Sequence, residues 1–228
     1  MKTPQKQQYD RILQLITIWF VMGAAMLLAL TYSGPEVGEA YIADEGLVQM
    51  GTLVILVVAT LSAATLAIRC PQNRVNLGLL ACGLAIYAGR EHDLHRLEFL
   101  SEHYTLLKFY LMPEIPLWQK LFFGAFVISV IAIIATFVLR MAGPTLRDLK
   151  RAEPWAIFGL AWITTLTASQ ISDRTWLNST FAGRSFEEVA EFVAAGLALM
   201  VVYHFPRVAL PVAATTKLAP QAASAKAA

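Results

Sequence analysis

Residues 185–200 have the sequence SFEEVAEFVAAGLALM, in which three glutamates introduce an apolar run that continues to about residue 204. A transmembrane helix needs about 20 mostly apolar residues to cross a hydrocarbon core roughly 30 Å thick. The stretch therefore predicts a membrane-spanning helix over residues 186–204 whose first turns carry carboxyl groups. Four small residues in it would let another helix approach closely: Ala190, Ala194, Ala195 and Gly196.

The three glutamates differ in their predicted depth. Glu187 and Glu191 are one helical turn apart, and Glu188 is three residues from Glu191. Counted back from His204 at about 1.5 Å per residue, Glu191 lies several ångströms inside the membrane boundary. Favourable charge at a helix start can explain the other two acids. An acid as deep as Glu191 is costly, faces protein or water rather than lipid, and is a functional candidate.

The composition of the whole chain is typical of a membrane protein. Of the 228 residues, 57% are apolar and 15% are charged, against about 25% charged in an average soluble domain. We predict an all-α integral membrane bundle of about six transmembrane helices, over residues 12–32, 47–68, 76–89, 117–139, 154–171 and 186–204. We divide the chain into an N-terminal cytoplasmic segment (1–11), a transmembrane domain (12–210) and a disordered cytoplasmic tail (211–228).

The charges between these predicted spans are strongly asymmetric. The two termini, the 69–75 turn and the 140–153 loop carry 12 Lys/Arg and 3 acids, whereas the other connections and their flanking helix ends carry 6 Lys/Arg and 13 acids. Cytoplasmic loops of membrane proteins are enriched in Lys and Arg. The asymmetry predicts that both termini lie in the cytoplasm. The sequence contains no stripe of basic residues interleaved with aromatic residues, so we expect no nucleic-acid partner.

This topology brings acids from four helix ends to the outer face. Glu45 shares a helix face with Gln49 and Thr52, although it could simply cap the helix. Asp173 follows three hydroxyl residues, Thr165, Ser169 and Ser172, spaced at i, i+4 and i+7. Those hydroxyls could equally bond their own helix, and Asp173 could form a surface pair with Arg174.

The decamer GREHDLHRLE, residues 89–98, adds histidines to these acids. If the third helix continues, Glu91 and His95 lie one turn apart, as do His92 and His95. A carboxylate and a histidine at this spacing can share a metal or act as a general acid and base. A mixed-charge helix end, with two arginines pairing Glu91 and Asp93, would have the same composition.

An amphipathic pattern follows the decamer. Leucines and Tyr104 recur at helical spacing between residues 97 and 111, which predicts an interfacial helix near residues 94–112 on the periplasmic side. This helix could cover the acidic cluster or simply anchor the chain at the membrane surface.

Three stretches, ADEGLVQMGTL, GREHDLHR and SFEEVAEF, resemble a group of uncharacterised bacterial multi-pass inner-membrane proteins. A more distant similarity is to the ceramidase-like membrane hydrolases, whose helices hold zinc with histidines and an aspartate. This resemblance implies zinc-dependent hydrolysis. The chain departs from that pattern because it has six predicted spans rather than seven and no pair of histidines on its last helix.

The first functional hypothesis is a membrane-embedded, metal-dependent enzyme of hydrolase type that acts on a lipid or lipid-linked substrate at the periplasmic side. The predicted cofactor is a divalent metal ion, zinc rather than iron. Its predicted ligands are Glu91, His92, His95 and Glu191. Further ligands or a general base acting on metal-bound water are predicted among Glu45, Asp93, Asp173 and Glu188.

Two other hypotheses stay open: a small cation transporter or channel, and a structural or assembly subunit of a membrane complex. Transport requires a polar path to the cytoplasmic face, and the inner halves of the predicted helices are almost wholly apolar. A homo-oligomer or another membrane protein as partner is compatible with each hypothesis. The chain has no Gly-rich nucleotide loop, no serine nucleophile elbow and no CxxC pair, which disfavours several soluble enzyme classes.

Overall fold

The computed structural model describes residues 4–43, 46–91 and 106–208. Every regular element in these ranges is helical, which confirms the all-α class. The α-helices are α1 (Pro4–Ile42), α2 (Leu47–Arg69), α3 (Arg74–Glu91), α4 (Leu106–Leu111), α5 (Leu117–Lys150), α6 (Pro154–Asp173) and α7 (Phe181–Val208). Two short 3-10 helices, Pro71–Asn73 and Trp176–Ser179, lie in the α2–α3 and α6–α7 connections.

A long helix lies over each of the six predicted windows, but the prediction of six spans is not supported. Three helices of the described chain are long and apolar enough to cross a membrane: α1 from Lys6, α2 and α5. The remaining three long helices have a more mixed composition. α3 has only 18 residues and carries charge at both ends. The apolar sequence of α6 is interrupted by hydroxyl and amide side chains. The first turns of α7 carry Arg184 and three glutamates.

The predicted interfacial helix near residues 94–112 is described only at its end, where α4 forms a short helix. Phe109 of α4 is buried and packs against Phe123 of α5, with 5.1 Å between ring centroids. Residues 92–105 and the predicted tail, 211–228, lie outside the described residues.

The packing is organised around α7, which contacts α1, α2 and α6. Short connections join α2 to α3 and α6 to α7, so each pair forms an antiparallel hairpin. The core between these helices is apolar, and Leu56, Leu84, Phe158 and Leu197 are fully buried in it. As a result, the C-terminal ends of α3 and α6 lie at the same side of the bundle as the N-terminal ends of α2 and α7. We call this the acidic end.

Close packing around Trp19 and an ion pair hold α1 against α7. Gly196 has no side chain, and the indole of Trp19 occupies the space beside it, so the two helices approach closely. Trp19 also packs against Phe192, with 6.1 Å between ring centroids. At the acidic end, Arg184 of α7 forms an ion pair with Glu39 of α1.

The helix α1 is interrupted near the acidic end. Gly34 has φ 76° and ψ 168°, a backbone conformation that side-chain-bearing residues rarely adopt, and Pro35 follows it. The break falls just after residue 32, where the first predicted window ends. The segment before Gly34 is the straight apolar part of the helix.

The helix α5 contacts α3 and α6 but is otherwise peripheral. Its most apolar stretch contains no buried residue in the described structure. The exposed side chains of this helix include many that are large and apolar: Leu121, Phe122, Phe126, Ile128, Ile131, Ile134, Val138 and Leu139. Exposed apolar surface on this scale is matched by lipid rather than by water.

Candidate carboxyl-pair site

Two glutamates from different helices meet at the acidic end. Glu91 is the last residue of α3, and Glu191 lies in the third turn of α7. Both are buried, with 6% and 4% of their surfaces exposed, and their carboxyl groups are close enough to interact. We call Glu91 and Glu191 the carboxyl pair. Buried carboxyl groups are costly unless they are satisfied by partners, so the surrounding donors decide what this pair can do.

One oxygen of Glu191 is held by three donors. The Ser169 hydroxyl donates to Oε1 at 3.0 Å and the Gln170 amide at 3.1 Å, both from α6. Arg90 of α3 contacts the same oxygen at 3.4 Å through one guanidinium nitrogen. Ser169 is fully buried, whereas the Arg90 side chain is 42% exposed. The seryl and amide contacts fix the carboxylate, and the guanidinium approaches it from the more open side.

The end of α3 is fixed from α2. The side-chain amide of Gln49 donates a hydrogen bond of 2.8 Å to the backbone carbonyl of Glu91. The last carbonyl groups of a helix have no partner within the helix, so this bond satisfies one of them.

Tyr87 lies one helical turn before Glu91 on the same face of α3. Its side chain is buried, with 8% of its surface exposed, and its hydroxyl is close enough to both members of the carboxyl pair to interact with their charge. Within the described residues this hydroxyl has no hydrogen-bond partner. A buried polar group without a partner is uncommon in folded proteins and calls for an explanation.

Carboxyl groups are concentrated around the pair. Five described carboxyl groups interact electrostatically in this region, and Arg90 interacts with both Glu91 and Glu187. The five acids are Glu91, Asp173, Glu187, Glu188 and Glu191. This concentration of acids makes the acidic end attractive to cations.

The other predicted site residues lie around the pair or beyond the described residues. Glu188 is close enough to Glu91 to interact with its charge, and Asp173 has the same relation to Glu187. Asp173 also accepts a hydrogen bond of 3.0 Å from the Asn178 amide, which fixes the α6–α7 connection. The predicted residues Glu45, His92, Asp93 and His95 lie outside the described residues.

The polar stripes predicted on α2 and α6 divide into two kinds. Thr52 and Thr165 donate to carbonyl groups of their own helices, at 3.0 and 2.8 Å, which for Thr165 is the alternative interpretation. Gln49 and Ser169 instead reach the carboxyl pair and its helix end. Ser172 bonds the backbone carbonyl of Gly183 at 3.3 Å and so ties α6 to the start of α7.

The sequence analysis did not identify three residues that contribute to this site: Tyr87, Arg90 and Gln170. The i, i+4 spacing of Tyr87 and Glu91 is visible in the sequence and could have indicated the tyrosine. The alternative interpretation of a mixed-charge helix end pairs Arg90 with a neighbouring acid, whereas Arg90 reaches a residue 101 positions away on α7. That contact depends on the relative register of α3 and α7, which no local pattern specifies.

The described residues contain no group of three or more His, Cys, Asp or Glu side chains that could hold a metal ion. Comparisons with known proteins gave no match, since no family model fits the chain and no curated protein or solved structure is significantly similar to it. A function for this chain therefore rests on its own residues.

Proposed function

We propose that the chain is a membrane-embedded, metal-dependent enzyme of hydrolase type that acts on a lipid or lipid-linked substrate. The observation that carries the proposal is the meeting of Glu91 and Glu191 as a buried pair within a polar network. Carboxyl groups buried at a membrane boundary are costly and typically functional. The charge asymmetry of the sequence supports placing this site on the periplasmic side of a bacterial inner membrane, with both termini in the cytoplasm.

The environment of Glu191 resembles that of a metal-ligating carboxylate. Ligating carboxylates are usually hydrogen-bonded by outer groups that fix their orientation. Ser169 and Gln170 hold Oε1 of Glu191 in this way, which leaves Oε2 for a ligand. A divalent metal at this position would be held by the carboxylates of Glu91 and Glu191.

A metal at this position would supply the hydrolytic chemistry. A bound divalent ion lowers the pKa of a coordinated water and so generates a nucleophile near neutral pH. Glu188 lies close to the pair and is our choice for the general base among the described acids. His92 and His95 follow Glu91 within four residues, and they stay predicted as additional ligands, as Glu45 and Asp93 stay predicted as contributors.

The core beneath the pair favours a site open to one side over a conduction path. Leu84 of α3, Leu56 of α2 and Leu197 of α7 are fully buried in the bundle centre. Buried apolar side chains provide no ligands for an ion in transit. An enzyme that receives substrate at the acidic end needs no such path.

The experiment is elemental analysis of the full chain purified in detergent without chelator. We expect about one divalent metal per chain in the wild type and a large loss of metal in Glu191→Gln. Glu36→Gln is the matched control, because Glu36 is an exposed glutamate near the break in α1. The control should retain the wild-type metal content.

Hydrolysis of phospholipid or lipid-linked phosphate should stop after chelation and return when metal is restored. A wild-type preparation without metal, or hydrolysis indifferent to chelator, would contradict the proposal. Size-exclusion profiles of the variants separate loss of metal from loss of fold.

A further inference from the structure

We infer that the carboxyl pair forms an oxygen-donor site for a divalent cation of the magnesium or manganese type, and that the Tyr87 hydroxyl positions a water molecule bound to that cation. This inference rests on the metal-dependent function proposed above and specifies the class of metal. It differs from the sequence-based expectation of zinc.

The donor atoms at the site are oxygens. The described side chains that converge on it offer two carboxyl groups, the Tyr87 hydroxyl and the Ser169 hydroxyl. Zinc favours nitrogen and sulfur ligands in tetrahedral sites. Carboxylate, hydroxyl and water oxygens instead suit magnesium and manganese.

The number of carboxylates also favours magnesium or manganese over zinc. Magnesium keeps several waters and is usually bound by one or two carboxylates, together with oxygens of its substrate. The pair supplies two carboxylates. In the described chain no third His, Cys, Asp or Glu completes a closed set, and a hydrated cation does not require one.

Tyr87 provides an independent reason to place a ligand here. Its side chain is more than nine-tenths buried, its hydroxyl interacts with both carboxyl groups, and within the described residues that hydroxyl has no hydrogen-bond partner. A water molecule on a cation held by the pair would satisfy it. Water bound to a metal is a strong donor, and the phenol oxygen can accept from it.

The charges of the site leave room for a cation. Five described carboxyl groups interact in this region, and the contact of Arg90 with Glu191 is long at 3.4 Å. The Arg90 side chain is 42% exposed, so it can turn toward solvent when a cation replaces it. The seryl and amide donors would keep Glu191 in place during this exchange.

The test uses the full chain, purified in detergent and freed of metal with chelator. Manganese chloride is titrated while the free Mn²⁺ signal is followed by electron paramagnetic resonance, and magnesium chloride and zinc chloride are then added as competitors. We expect about one Mn²⁺ per chain, displaced by Mg²⁺. Glu191→Gln should weaken Mn²⁺ binding by more than 100-fold, and Tyr87→Phe by about 10-fold, the low end for groups that support metal ligands.

Tyr32→Phe is the matched control, since Tyr32 is 93% exposed and the same hydroxyl is removed from the surface rather than from a buried position. It should bind Mn²⁺ as the wild type does. The unfolding temperature in chelator should be nearly equal for the wild type, Tyr87→Phe and Tyr32→Phe, so that a change in affinity reports positioning of the metal rather than loss of fold.

The outcomes separate this inference from the function on which it rests. Tight zinc binding with no binding of Mn²⁺ or Mg²⁺ would overturn the inference and leave a metal-dependent enzyme standing. The absence of any bound metal would overturn both. If Tyr87→Phe bound Mn²⁺ with the wild-type affinity, the proposed role of the tyrosine would be wrong, and the metal site would consist of the carboxyl pair.

Discussion

At the residue scale, the donors around Glu191 distinguish it from Glu91. Ser169 and Gln170 both donate to Glu191, whereas a glutamine at position 91 keeps the size of the side chain that it replaces. In chelator, we expect Glu91→Gln to change the free energy of unfolding by about 1 kcal/mol or less, the net contribution of a typical hydrogen bond. Glu191→Ala leaves the buried Ser169 hydroxyl without its acceptor and should cost about 1–3 kcal/mol.

Thermal unfolding of both variants in detergent, at one pH and with chelator present, measures this difference. A larger loss of stability in Glu91→Gln than in Glu191→Ala would mean that the Ser169 and Gln170 contacts to Glu191 do not dominate the stability of the network. Because the measurement excludes metal, its outcome is independent of the metal-binding test.

The hydroxyl of Ser169 allows a narrower test of the same network. It is fully buried and donates to a charged acceptor, and hydrogen bonds to charged groups contribute about 1.5–3 kcal/mol. Ser169→Ala should therefore lower the free energy of unfolding by an amount in that range. Ser129→Ala is the control, since that exposed hydroxyl bonds only its own helix backbone at 2.8 Å. Its effect should stay within about 0.5 kcal/mol, and equal effects at the two serines would contradict the network.

Sequence reasoning selected both members of the pair but not their arrangement. Glu191 was indicated by its depth within an apolar run, and Glu91 by its place at a helix end. The pairing of Arg90 with Glu191, and the neighbouring position of Tyr87, follow from how α3 and α6 are rotated about α7. Helix rotation is set by the sum of many side-chain contacts, so a local spacing does not determine it.

At the element scale, the small residues of α7 decide how closely α1 can approach. A methyl group at position 196 would overlap the indole of Trp19, and overpacking typically costs about 1–3 kcal/mol. Gly196→Ala should therefore lower the unfolding temperature despite the higher helix propensity of alanine.

Gly78→Ala is the matched control for that substitution. Gly78 lies within α3, and an added Cβ there would have no neighbouring atom within 4 Å. Replacing a glycine by alanine inside a helix stabilises it by roughly 0.5–1 kcal/mol when there is room. Thermal unfolding of the two variants should thus give shifts of opposite sign, and a stabilising effect at position 196 would contradict the close approach of α1 and α7.

The helices themselves were predicted well, because long apolar windows place their centres. Their membrane role was predicted less well. The windows over α3 and α6 are short or interrupted by polar residues, and a hydropathy window treats a side chain that faces another helix like one that faces lipid. Ser169 of α6 illustrates the limit: it lowers the apolar character of its helix, yet it is fully buried against Glu191.

At the scale of the whole molecule, the distribution of burial distinguishes α7 from α5. Both are long and mostly apolar, but α7 is packed on several sides by other helices, whereas the apolar stretch of α5 is exposed. In water such a surface would favour aggregation. In a bilayer it is the ordinary surface of a spanning helix, so α5 provides the clearest test of membrane insertion.

Two positions on α5 have nearly the same exposure and different predicted surroundings. Ile131 is 60% exposed in the apolar part of the helix, and Leu146 is 62% exposed beyond Pro144, beside Arg147. An arginine at the centre of a spanning helix costs about 2.5–3.5 kcal/mol of insertion free energy, whereas one at the basic end meets water and headgroups. We expect Ile131→Arg to reduce the amount of protein in the membrane fraction several-fold and Leu146→Arg to leave it unchanged. Equal levels of the two variants would mean that α5 does not span the bilayer, because exposure alone does not distinguish the positions.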